Sequence, residues 1–165
     1  MFNPSVELAA YLIHWSEPKS SEAQRGWKTV RLATARLMSC TEMDMHEINS
    51  FLSMKELLEF RTEEFTEKTG YSLRDIERKL AELVEAAVET DIAQWVHGYK
   101  ALPLTFVQHP DSFLCDVLGN LVAKNLDFYI EQVDENGLWP VTWEWAAYPG
   151  EFAVAARYWQ GIIAL

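Results

Sequence analysis

Positive charge is what this sequence has least of. Against 25 Asp and Glu it carries 14 Lys and Arg, a formal net charge of −11. Nucleic acids and anionic membrane surfaces are bound through an excess of Lys and Arg, so the charge argues against both as partners. Cysteine is equally scarce. Cys40 and Cys115 lie far apart in the chain and neither belongs to a C-x-x-C pair, so no disulfide framework and no zinc site is expected. The four histidines, His14, His46, His97 and His109, show neither H-x-x-x-H nor H-E-x-x-H spacing, and no metal or cofactor is expected. There is no run of 18 apolar residues and no charged-then-apolar leader, which leads to the expectation of a soluble, cytoplasmic protein without a membrane span. A Gly-rich phosphate loop, a Gly-x-Ser-x-Gly elbow and any alternating strand pattern are also missing.

What the chain does have is apolar and aromatic mass. Of its 165 residues, 49% are hydrophobic, with seven Trp and eight Phe, enough for one domain with a real core. The apolar residues recur at helical spacing. Asn3 as N-cap and Pro4 at the first helical position open a helix to about Trp15 that is apolar nearly all round, the pattern of a helix buried on every side. Ser20 or Ser21 caps a second helix to about Ser39, with Ala23, Trp27, Val30 and Leu37 on one face. Thr41 caps a third, roughly Glu42 to Phe60, and Gly70 closes a polar connection. Ser72-x-x-Asp75 forms a capping box before a fourth helix carrying Leu73, Ile76, Leu80, Leu83, Val84 and Ala87. Residues 92–119 lose periodicity and read as a long irregular connection with one short helix. Asn120 to Gln132 is the fifth helix and Glu151 onward the sixth. The fold class is all-α, built from antiparallel helical hairpins in a single domain.

The stretch Asn125 to Trp139 is the most informative. Phe128-x-Ile130-x-Gln132, a four-residue turn, then Gly137-x-Trp139 closely resembles the QW repeat of the prenyltransferase and squalene/hopene cyclase superfamily. Asn3-Pro4 through Tyr11-Leu12, and Trp143-Glu144-Trp145 with Tyr148-Pro149-x-Glu151-Phe152, are similar to bacterial proteins assigned to the same superfamily. The resemblance implies an α/α toroid in which Gln132 and Trp139 are structural, with Trp139 packed beside Gln132 and against the start of the following helix. The cyclases' Asp-x-Asp-Asp signature is absent, and the prenyltransferase zinc set of Asp, Cys and His has no counterpart. Ordinary terpenoid cyclisation and protein prenylation are therefore not expected. The final residues, 161–165, stop inside an apolar helical pattern without a cap, as in a piece of a longer toroid or in a terminal helix that frays. A partial toroid leaves apolar faces on its first and last helices, so self-association through residues 4–15 and 152–165 is expected.

Two groups of residues bear on chemistry. On the third helix Ile48, Phe51, Met54, Leu57 and Leu58 define an apolar arc, and Asp44 and Glu47 fall near its middle. Burying an ionised carboxylate costs several kcal/mol unless it is paired. These two acids either face a wet cavity, meet a partner, or escape to solvent in the first turn. In a cavity they would be a general acid and base, at least one with a raised pKa. Glu7, Tyr11 and His14, at i, i+4 and i+7, make a polar line on the first helix that is either a pocket wall or a solvated edge. Trp143 and Trp145 supply aromatic walls for an apolar or cationic ligand, or pack as a loop on the core. The expected function is binding or acid–base transformation of a largely apolar small molecule, with Asp44, Glu47, His14 and Glu7 catalytic and Trp143, Trp145 and Tyr11 holding the ligand. The alternative is a non-catalytic helical scaffold that self-associates or binds another protein.

Overall fold

The computed structural model describes residues 1–163, and among them every regular element is a helix. Contacts cluster the chain into two compact units, Met1–Ala87 and Val88–Leu165.

The first unit contains α1 (Ser5–Trp15), α2 (Ser21–Ser39), α3 (Met45–Leu57), α4 (Thr62–Thr69) and α5 (Leu73–Ala87). Helix α1 packs on α2 and α3, α3 on α5, and α2 on α4 and α5. Val6 and Ile13 of α1, Val30 and Leu37 of α2, Ile48, Phe51 and Met54 of α3, and Ile76 and Leu80 of α5 are fully excluded from solvent. Each such aliphatic or aromatic side chain contributes about 1.5–3 kcal/mol by leaving water.

Helix starts follow side-chain caps. The Ser20 hydroxyl accepts from the Ala23 N–H at 3.1 Å. Ser72 and Asp75 bond reciprocally, Asp75 N–H to the Ser72 hydroxyl at 3.1 Å and Ser72 N–H to the Asp75 carboxylate at 3.0 Å. Two starts differ from expectation. Asn3 does not cap α1, because its side-chain oxygen accepts from the Ser50 hydroxyl of α3 at 3.3 Å instead. Helix α3 begins three residues later than Thr41 suggests, because Asp44 takes the N-cap position with an extended backbone and accepts from His46 N–H at 2.9 Å.

Helix α1 is not buried on every side. Val6, Ala9, Ala10 and Ile13 face inward, while Leu8, Tyr11, Leu12 and Trp15 are exposed. Its neighbours α2 and α3 cover one face, and the remaining apolar stripe points to solvent. Helix α4 falls where a polar connection was expected. Its single apolar residue, Phe65, gives periodicity nothing to detect, yet Phe65 is fully buried and meets Trp27 edge-on at 6.4 Å.

The second unit contains α6 (Pro103–Phe106), α7 (Leu114–Leu118), α8 (Asn120–Gln132) and α9 (Pro149–Ile163). The segment read as irregular holds two short α-helices, α6 and α7, and a 3-10 turn at Ile92–Gln94. Helices α6 and α7 both pack on α8. Fully buried Asn125 fixes α6, its side-chain oxygen accepting from Leu104 N–H at 2.9 Å. Trp95, 1% exposed, donates its indole N–H to the Glu89 carbonyl at 2.9 Å and meets Phe128 edge-on.

The α1–α2 crossing yields a stability prediction. A Cβ at Gly26 of α2 would lie 2.6 Å from the Ile13 side chain and 2.8 Å from the Ala9 carbonyl oxygen. Gly→Ala inside an exposed helix ordinarily stabilises by about 0.5–1 kcal/mol. Here a backbone atom blocks the methyl, so Gly26→Ala is expected to destabilise by about 1–3 kcal/mol, read as a lower urea midpoint. A raised midpoint would show that α1 and α2 separate freely.

Candidate functional site

The acid–base residues expected on α1 and α3 have different surroundings. Asp44 is exposed and its carboxylate caps α3. Glu47, by contrast, is 1% exposed. One carboxylate oxygen accepts from the Phe2 N–H at 2.7 Å and from Arg36 Nε at 3.0 Å, and the other from Arg36 Nη2 at 3.1 Å. The Arg36 hydrogen bonds are the main reason its pKa is lowered, overcoming the desolvation that would raise it, with the Phe2 N–H adding to the effect. A raised carboxyl pKa was expected for this pair. Glu47 shows the reverse, because three donors hold it as an anion. Of the three alternatives, a wet cavity, a partner or escape to solvent, Glu47 takes the partner, Arg36 on the preceding helix.

Glu7 is half-buried, and Tyr11 and His14 are exposed on α1. The His14 ring meets Trp15 edge-on at 5.1 Å and borders a shallow, open depression with Leu57, Phe60, Arg61 and Glu64. Glu7, Asp44 and Glu47 do not line that depression. The polar line of α1 is a solvated edge.

The second unit builds a different site around the Gln/Trp motif. Gln132 is the last residue of α8. Asp134 then organises the turn: its carboxylate accepts from Asn136 N–H at 2.8 Å and Leu138 N–H at 2.9 Å. Those backbone donors, Leu138 foremost, lower the Asp134 pKa. Gly137 takes a φ of 78°, which a residue with a Cβ rarely adopts. The turn sends the chain back along α8, where the Trp139 indole N–H donates to the Tyr129 carbonyl at 2.7 Å. Farther on, Thr142 and Gly98 exchange bonds, Gly98 N–H to the Thr142 carbonyl at 3.0 Å and the Thr142 hydroxyl to the Gly98 carbonyl at 2.9 Å. The ring contacts with α9 come from Trp143 onto Trp159 and from Trp145 onto Phe152.

These two returns border a partly open cavity of about 150 Å³. Six aromatic side chains line it: Trp95, Tyr99, Phe128, Tyr129, Trp139 and Trp143. Its polar lining comes from Lys100, Thr105, Gln132 and Thr142. Lys100 Nζ is held by Glu89 at 2.6 Å, and burial raises the Tyr129 pKa, keeping the phenol neutral. Alongside lies a more open groove lined by Tyr99, Val141, Thr142, Trp143, Glu144 and Phe152. Of the expected ligand-holding residues, Trp143 borders both spaces. Trp145 borders neither, and Tyr11 belongs to the first unit. Trp95, Tyr99, Phe128 and Tyr129 were not foreseen as lining. Trp95 and Tyr99 sit in an aperiodic segment, and Phe128 and Tyr129 read as motif and helix residues.

Comparison of the chain with protein-family models, with curated proteins and with solved structures finds no match. Among the described residues no helix is long and apolar enough to cross a membrane.

The Glu47 geometry fixes a pH dependence. Its folded pKa lies below the unfolded value, so its stabilising contribution is complete above the ordinary carboxylate range and is lost as pH falls through the depressed value. Glu47→Gln is expected to cost about 1.5–3 kcal/mol at pH 7, with a gap from the wild type that narrows as the pH is lowered below about 4. Urea denaturation across that range measures it. A gap independent of pH would mean that the ion pair contributes nothing.

Proposed function

We propose that this chain is a small-molecule-binding protein whose site is the aromatic cavity of the second unit, and that its ligand is small and largely apolar. The convergence of six aromatic side chains on one space of about 150 Å³ carries this reading. Apolar cavities near that size accept a benzene-sized guest, and predominantly aromatic walls with a few polar groups are the usual make-up of a ligand pocket. Binding is favoured over acid–base turnover. Glu47 is committed to Arg36, and the titratable groups on the cavity wall are Lys100, Tyr99 and Tyr129.

The toroid resemblance and a partial-toroid architecture belong to the same proposal. Gln132 ending α8, with Trp139 hydrogen-bonded back to that helix, supports them. A cytoplasmic location belongs to the proposal too, in keeping with free thiols at Cys40 and Cys115.

One observation favours the scaffold alternative. Leu8, Tyr11, Leu12 and Trp15 form an exposed stripe at i, i+3, i+4 and i+7, the spacing of a helix–helix seam. A second copy of the chain is the occupant it suggests. Sedimentation of the wild type and of a Leu8→Lys, Trp15→Lys double variant tests it: self-association lost in the variant supports a scaffold, and a wild-type monomer at high concentration rejects it.

For the cavity, titration with indole followed by protein NMR is the direct test. Saturable shifts are expected in the indole N–H resonances of Trp95, Trp139 and Trp143, with a rise in melting temperature. Trp143→Ala is expected to weaken binding roughly fivefold or more. Indole that leaves all three resonances unmoved at millimolar concentration overturns the assignment.

A further inference from the structure

We propose that the ligand of the second unit carries a cationic head of quaternary-ammonium type, seated in the open groove formed by Tyr99, Trp143, Phe152 and Glu144, with its apolar end in the adjoining cavity. This rests on the cavity assignment above and specifies the chemistry of what enters it.

The walls of the groove come first. Tyr99 and Trp143 meet with centroids 5.2 Å apart and planes at 71°, so they stand as two sides of a corner rather than as a flat stack. Trp159 buttresses Trp143 at 5.7 Å and 77°, holding the indole upright. Phe152 completes the lining and is itself backed by Trp145 at 5.6 Å. Tyr99, Trp143 and Phe152 thus border one open space, held in place by edge-to-face and tilted ring contacts, and aromatic lining of this kind attracts a cation placed over a ring face.

The charges point the same way. Glu144 borders the groove and is exposed, and among the described residues its carboxylate has no hydrogen-bond or ion-pair partner. No Lys or Arg lines the groove. Lys100, on the cavity wall, is already neutralised by Glu89. Residues 88–165 hold ten Asp and Glu against three Lys and Arg, a formal −7, so the field over this unit favours cations. An anionic ligand would meet that field and the free carboxylate together.

Hydrogen bonding selects the kind of cation. A primary ammonium has three N–H donors to satisfy. Among its side chains the groove offers one carboxylate, with the oxygens of Thr142, whose proton goes to the Gly98 carbonyl, and Tyr99 as neutral acceptors. A fully alkylated ammonium has no N–H to leave unpaired, and its methyl groups suit aromatic walls.

The experiment compares two ligands of one shape. Benzyltrimethylammonium and its neutral isostere neopentylbenzene are titrated by NMR into the full chain, as wild type and as Glu144→Gln. The cation is expected to bind at least about fivefold more tightly than the isostere. Glu144→Gln is expected to remove most of that preference and leave the isostere's affinity unchanged. Equal affinities, or a preference for the neutral ligand, overturn the cationic head while the cavity assignment stands. A preference that survives Glu144→Gln undiminished also overturns the proposal as stated. Failure of both ligands to bind removes the head group and the cavity assignment together.

Discussion

Glu47 sits 1% exposed between the Phe2 N–H and the Arg36 guanidinium, and the order of the first unit depends on how that burial is compensated. A carboxylate taken out of water costs several kcal/mol, and an ion pair repays it only when the geometry is good and the remaining lone pairs are filled. Both conditions are met, by a two-pronged contact from α2 and a backbone N–H from the N-terminal segment. One side chain of α3 therefore holds both α2 and the residues leading into α1. Asn3, bonded by Ser50 of α3, repeats the tie one residue further along. The close approach at Gly26, where α2 meets the α1 backbone, extends the same packing.

That commitment also limits what the first unit can do. A general acid needs a proton to give near neutral pH, and a carboxylate held as an anion by three donors has none. The most buried acid of the chain is thereby a structural element. Asp44, one turn earlier, has its oxygen occupied by the first turn of its own helix. The second unit, by contrast, holds a cavity bordered by loops and by α8. The Asp134 turn, the Trp139 return to α8 and the Gly98–Thr142 pairing are backbone devices that place aromatic rings around a space. Loops are the usual carriers of such sites, since their variation does not disturb a helical core.

Helices with dense apolar periodicity were legible from the sequence. Helix α8 is bounded by the residues that its pattern indicates, Asn120 and Gln132, and the Ser72–Asp75 capping box opens α5 as read. Elements whose stability comes from one distant contact were not. Helix α4 depends on Phe65 against Trp27, and α6 on the side chain of Asn125, and neither contact leaves a local signal. For the sites the division is similar. Spacing placed Glu47 on the apolar arc but left a cavity, a partner and solvent open, because Arg36 becomes its neighbour only when α2 and α3 fold together. Trp143 stood out from its aromatic surroundings and borders both the cavity and the groove. Tyr99 and Trp95 were hidden in a segment without periodicity.

The uneven charge of the chain ties these points together. Residues 1–87 carry fifteen acids and eleven bases, and residues 88–165 ten acids and three bases. In the first unit most of the opposite charges can answer one another, as Glu47 and Arg36 or Lys55 and Glu77 do. In the second the acids outnumber available partners, and net repulsion opposes compactness. Aromatic packing is what offsets it: Trp95 on Phe128, Tyr99 on Trp143, Trp143 on Trp159. A bound cation would relieve that repulsion while using the same rings. A cation bound only by the folded second unit would add to its stability by mass action, on top of the repulsion it relieves.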